Sequence, residues 1–110
     1  MKLIVAIVQD EDAGRLVSAL MDKGFGVTKL ATTGGFLRAG NTTLISGVED
    51  EKLNDALGII EKICKSREQI TASTTPMGGG AGGVYVPYPI RVTVGGATVF
   101  VLEVSQFLKV

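Results

Sequence analysis

The stretch Met1-Lys-Leu-Ile-Val-Ala-Ile-Val8, followed at once by Gln9-Asp10-Glu11-Asp12, decides how the fold is read. An apolar run this short, with no small-residue cleavage site after it, reads as a β-strand rather than a signal peptide. On a strand, successive side chains point to opposite faces, so Leu3, Val5 and Ile7 share one face and Ile4, Ala6 and Val8 the other. An antiparallel strand with one face in water alternates apolar with polar. This one does not, so both of its faces need cover.

Outward from that strand, Asp10 is placed to cap a helix whose apolar positions Ala13, Leu16, Val17, Leu20 and Met21 follow i, i+3, i+4, i+7, i+8, with Gly24 ending it. Two strand-like runs come next, Val27 to Ala31 and Thr42 to Val48. Between them lies Thr32 to Asn41, too long for a tight hairpin. Asp50 then caps a second amphipathic helix, with Leu53, Ala56, Leu57, Ile60, Ile63 and Cys64 on its apolar face. From Ser66 to Pro89 the chain carries Thr74-Thr75-Pro76, Gly78-Gly79-Gly80-Ala81-Gly82-Gly83 and Pro87-Tyr88-Pro89, a composition that reads as one long glycine-rich loop. Ile90 to Val94, a Gly95-Gly96 turn and Thr98 to Val104 read as a closing hairpin.

The order β-α-β-β-α-β, with the last strand doubled into a hairpin, predicts a single α+β domain over residues 1–110. This is a ferredoxin-like antiparallel sheet with two helices on one face. Val99 and Val101 are matched by Phe100 and Leu102, so the last strand is also apolar on both sides. Two helices cover one face only, which predicts that the second packs against other copies of the chain. The long loop folding back over the sheet is the alternative cover.

Composition narrows the function classes. The 110 residues hold 11 Lys+Arg against 11 Asp+Glu, so no net basic charge favours DNA, RNA or a membrane surface. Histidine is absent, which removes the Ser-His-Asp arrangement and most zinc sites together. The single cysteine, Cys64, has no internal partner and lies on an apolar helix face, where an inert core thiol is expected. No run reaches the roughly 18 apolar residues of a membrane span, so a mean hydropathy of +0.35 points to buried core or subunit interface, with the cytoplasm as the expected location.

Three segments invite a functional reading. In Thr32 to Asn41, adjacent glycines let backbone N–H groups converge on an anion, Arg38 offers a charged fork and Phe36 an aromatic face. Asn41 and Thr28 bring an amide and a hydroxyl to the strand ends. Together these suit a nucleotide base and phosphate, since a carboxamide presents a donor and an acceptor to an adenine edge. A plain surface connection anchored by Phe36-Leu37 is the structural alternative. The Gly78 to Gly83 run lacks the Gly-Lys-Ser/Thr and following helix of a phosphate loop, and reads as a flexible loop or lid. Asp10-Glu11-Asp12 and Glu49-Asp50-Glu51 both stand at helix N-termini, where capping and the helix dipole account for them without a metal.

The block Thr28-Lys-Leu-Ala-Thr-Thr-Gly-Gly-Phe-Leu-Arg-Ala-Gly-Asn-Thr-Thr43, with Ile4-Val-Ala-Ile-Val-Gln-Asp10, Thr75-Pro-Met-Gly-Gly79, Pro87-Tyr-Pro89 and Gly95-Gly-Ala-Thr-Val-Phe-Val101, resembles the PII-like cyclic di-AMP receptor proteins of the PstA or DarA type. The resemblance runs over essentially the whole chain. It implies a cytoplasmic homotrimer without catalytic activity or cofactor, binding cyclic di-AMP between subunits and signalling to an effector. It further implies ligand contacts from Thr28, Asn41 and Gly47 around the base, Phe36 and Leu37 as apolar cover, and Gly95 and Gly96 from the adjacent subunit. One departure stands out: the family pattern has an arginine two positions before the threonine, where this chain has Gly26. A PII-type sensor of ATP or of another cyclic dinucleotide is the nearest alternative. A small acylphosphatase-like enzyme is further off, because its phosphate cradle would fall on Gln9-Asp10-Glu11-Asp12, which repels anions.

Overall fold

An unbroken apolar run rich in β-branched residues makes β1 (Lys2–Gln9) the centre of a four-stranded antiparallel sheet. The computed structural model describes residues 1–30, 40–77 and 84–110, the side chains of 71–77 and 84–88 excepted. After β1 come α1 (Asp10–Asp22), β2 (Thr28–Leu30), β3 (Asn41–Val48), a 3-10 turn (Asp50–Lys52), α2 (Leu53–Cys64), β4 (Arg67–Met77), β5 (Val84–Val94) and β6 (Ala97–Glu103). The sheet runs β2-β3-β1-β6, the strand order of a ferredoxin-like fold. Its register sets Gln9 opposite Asn41, Val5 opposite Ile45 and Phe100, and Leu3 opposite Gly47 and Leu102.

Both helices lie on the face of Ile4, Ala6 and Val8, which are buried together with Ala13, Leu16, Leu20, Leu44, Val48, Ala56, Ile60 and Cys64. The predicted apolar stripe of α1 holds except at its end, where Met21 is exposed beyond the edge of the core. The helix closes at Asp22, and the N–H groups of Gly24 and Phe25 donate back to Met21 and Leu20 at 2.9 and 3.0 Å. On the other face Leu3, Val5 and Ile7 are only half-buried, and Leu30, Phe100 and Leu102 are exposed. Among the described residues, no helix covers the second face that the two-sided strands require to be covered.

The segment 66–89 departs from the expected loop. Arg67–Met77 and Val84–Val94 pair over their full length as a separate two-stranded ribbon. Prolines argued against strands here, yet Pro76, Pro87 and Pro89 occupy one phase of the register, with Pro89 opposite Ala72, Pro87 opposite Thr74 and Pro76 opposite Tyr85. Antiparallel pairs alternate between bonded and non-bonded, so three prolines in one phase need remove no ladder hydrogen bond. Each strand of 11 residues spans about 36 Å, and the chain extends 65 × 29 × 20 Å. Its radius of gyration is 19.1 Å, against about 13 Å for a compact domain of this length.

The expected closing hairpin is also replaced. β5 pairs with β4 while β6 pairs with β1, so Gly95-Gly96 is a corner between ribbon and sheet rather than a hairpin turn. Both glycines hold φ near +90° (+82° and +93°), which a side chain adopts only with strain. The extra hairpin thus precedes the last strand instead of extending it.

Candidate functional site

The face away from the helices carries most of the predicted ligand residues. Thr28 stands opposite Ile45, Gly47 opposite Leu3 and Asn41 opposite Gln9, all in the phase of Val5 and Ile7. Thr28 and Gly47 are therefore near neighbours on this face. Asn41 lies four residues along β3 from Ile45, about 13 Å away. The predicted residues form two stations on one open face rather than one closed pocket.

At the Asn41 station the sheet bears a cavity of about 360 Å³, with Ile7 and Thr98 on its floor and Gln9, Asn41, Gly95 and Gly96 around it. Asn41, Gly95 and Gly96 thus come together within a single chain. Gln9 was not singled out from the sequence. Its side-chain Oε1 accepts a hydrogen bond from the Gly95 N–H at 2.7 Å, tying the last residue of β1 to the corner before β6. The start of β3 is equally fixed, because the Asp10 N–H donates to the Gly40 carbonyl at 2.7 Å and Thr42 Oγ1 donates to the Asp10 carboxylate. These bonds hold the backbone on either side of Asn41 against the first turn of α1.

A buried ion pair stands behind this corner. Asp12 is fully buried, and its carboxylate accepts from Arg67 Nη2 at 2.9 Å and Arg15 Nη2 at 2.7 Å. The hydrogen bond from Arg67 is the main cause holding the Asp12 carboxyl below its usual range, against the opposing effect of burial. Arg67 begins the ribbon, and its Nη1 also donates to the Lys65 carbonyl at 3.2 Å. The acidic triplet stands at a helix N-terminus as expected, but none of its carboxylates makes a side-chain cap. Asp10 meets Thr42, and Asp12 clamps the root of the ribbon. Burial pushes the Cys64 thiol up, as befits an inert core cysteine.

Phe36 and Leu37 lie outside the described residues, as does Arg38. A larger groove of about 500 Å³ runs on the helical side beside Lys23, Phe25, Lys52 and Lys62, and none of the predicted residues lines it. The 360 Å³ cavity is different in kind. Among the described residues its polar lining is two carboxamides, a hydroxyl and glycine backbone, with no side chain that titrates. Such a lining recognises a hydrogen-bonding edge and supplies no general acid or base.

A ferredoxin-like sheet closed by helices on one face and open at a neutral, hydrogen-bonding cavity on the other defines a small-molecule-binding module. The chain belongs to the cyclic-di-AMP receptor family, whose profile matches residues 1–110. It is also similar to a solved structure of a functionally unknown protein from Pediococcus pentosaceus ATCC 25745, with 45% sequence identity and a TM-score of 0.78 over 99% of this chain and 96% of that one. The family is one of receptors for cyclic di-AMP.

Proposed function

We propose that the chain is a cytoplasmic receptor that binds cyclic di-AMP on the open face of its sheet, at interfaces between three identical subunits, and passes the signal to an effector protein. The observation that carries this reading is that Thr28, Asn41 and Gly47, chosen for a purine base, all fall on the one sheet face that no helix covers. A base seated there meets the Asn41 carboxamide and the backbone of Gly95-Gly96, and the family resemblance adds Phe36 and Leu37 as its apolar cover. Burying the exposed halves of Leu30, Phe100 and Leu102 returns about 1 kcal/mol each, which favours association through the same face. Gly95-Gly96 joins the cavity to the ribbon, so a ligand that favours one setting of this corner redirects β4–β5 toward or away from its effector.

Isothermal titration of the purified protein with cyclic di-AMP, with ATP and cyclic di-GMP as competitors and with the mass in solution measured alongside, tests this reading. One cyclic di-AMP per subunit on a trimer is expected. Asn41→Ala should lower the affinity by at least about tenfold while the trimer stays intact. Unchanged affinity in that variant would move the site elsewhere, and stronger competition by ATP would make the chain a mononucleotide sensor.

A further inference from the structure

We infer that Gln9 sets the preference for adenine over guanine in the cavity beside Asn41, by donating from its side-chain amide to a ring nitrogen of the base. This rests on the reading of that cavity as the cyclic dinucleotide site. Gln9 and Asn41 face each other across adjacent central strands, so their Cβ atoms are about 5 Å apart and both carboxamides reach the same ligand edge. The two amides are not equivalent. Gln9 Oε1 is engaged by the Gly95 N–H at 2.7 Å, whereas the Asn41 side chain has no hydrogen bond among the described residues. With its oxygen pinned, the Gln9 amide turns its Nε2 hydrogens away from Gly95. They have no partner among the described residues, and Gln9 itself lines the cavity.

The Gly95 N–H occupies a lone pair of the Gln9 oxygen and Gln9 presents its amide N–H groups as donors, while Asn41 offers both a donor and an acceptor. Adenine answers this pair well: its 6-amine and N7 satisfy Asn41, and N1 accepts from Gln9. Guanine carries an N–H in place of the N1 acceptor, a carbonyl in place of the 6-amine and an amine at C2, so a Gln9 donor aimed at N1 meets a donor. A donor left unpaired in a closed site weakens binding by about 10- to 100-fold. The pinning depends on Gly95, because only a residue without Cβ brings its N–H to Gln9 at this φ and this close to the Lys65 carbonyl.

Gln9→Glu tests the inference. The carboxylate keeps an oxygen for the Gly95 N–H and replaces the free donor with a second acceptor. Cyclic di-AMP and cyclic di-GMP carry the same two phosphates, so repulsion from the added charge cancels in the ratio of their affinities. That ratio should fall by about tenfold or more in Gln9→Glu relative to the unaltered chain. Should Gln9→Glu fold poorly, the side-chain amide resonances of Gln9 in the unaltered protein give a second measurement, and they should shift and become protected from solvent exchange on saturation with cyclic di-AMP. An unchanged affinity ratio, or amide resonances that do not move on saturation, overturns the role of Gln9 while leaving the receptor reading intact. Failure of the unaltered chain to bind cyclic di-AMP at all overturns both.

Discussion

Alanine at Gly95 and at Gly96 perturbs one corner in two different ways, and the difference can be worked from the geometry. Both residues hold φ in the left-handed region, so each substitution brings a backbone cost of about 1–2 kcal/mol. Around Gly96 nothing lies within 4 Å of an added Cβ, and that cost is the whole effect. At Gly95 an added Cβ would stand 2.6 Å from Arg67 Nη1, 2.7 Å from the Lys65 carbonyl oxygen and 3.1 Å from that of Cys64. The guanidinium can swing aside, but two backbone carbonyls at the end of α2 cannot without moving the ribbon root. Overpacking of this kind adds about 1–3 kcal/mol. With roughly 4–8 °C per kcal/mol for a domain of this size, Gly96→Ala should lower the melting temperature by about 4–16 °C and Gly95→Ala by about twice that. Far-ultraviolet circular dichroism at matched protein concentration measures both, the concentration being held because association shifts the apparent stability. Equal melting temperatures for the two variants would refute the packing of Gly95 against the end of α2.

Two other outcomes follow from the same geometry. Asp12 titrates below its ordinary value because Arg67 and Arg15 favour the carboxylate, so the unfolded chain binds the proton more readily and stability rises with pH through the acid range. The contribution is fully present above the unfolded value near pH 3.9 and is lost as pH falls through the folded one; Asp12→Asn should flatten melting temperature against pH below about pH 4, and an unchanged acid slope would remove Asp12 as its source. Gly26 has open space at its Cβ position and an ordinary φ, so Gly26→Arg should fold normally and tighten cyclic di-AMP binding by about tenfold or more through a charge-assisted hydrogen bond; titration showing no gain would mean that position 26 faces away from the ligand.

The sheet was legible because its signals are local. Helix periodicity in Leu16, Leu20, Ala56 and Ile60, and the unbroken apolar run of β1, each specify an element and the face it buries. The same run predicted a second face that the two helices do not cover, and Leu30, Phe100 and Leu102 stand exposed there. The ribbon was hidden for a physical reason. Glycine and proline are read as loop residues one at a time, whereas their compatibility with a ladder depends on the partner strand. Only the register reveals that Pro76, Pro87 and Pro89 share one phase. Thr71, Thr74, Thr75, Val84, Tyr85 and Val86 are β-formers that this composition masked.

Asp12 and Gln9 escaped for a related reason, since each acquires its role from a residue far along the chain. Asp12 is one of three acids at a helix start, and nothing local separates the buried one from its exposed neighbours; its partner Arg67 lies 55 positions away. Gln9 is bound by a backbone N–H 86 positions on, which no side-chain pattern announces. Both links converge where the ribbon root meets the end of β1. Gln9 holds Gly95 from the cavity side and Asp12 holds Arg67 from the helix side, with Gly95 packed directly on Arg67 between them. A ligand that competes for the Gln9 amide acts on the same corner that the buried ion pair stiffens. In the proposed receptor the ribbon root is thus shared by the ligand site and the ion pair, and loosening the Asp12 clamp should weaken the coupling between them before it weakens binding.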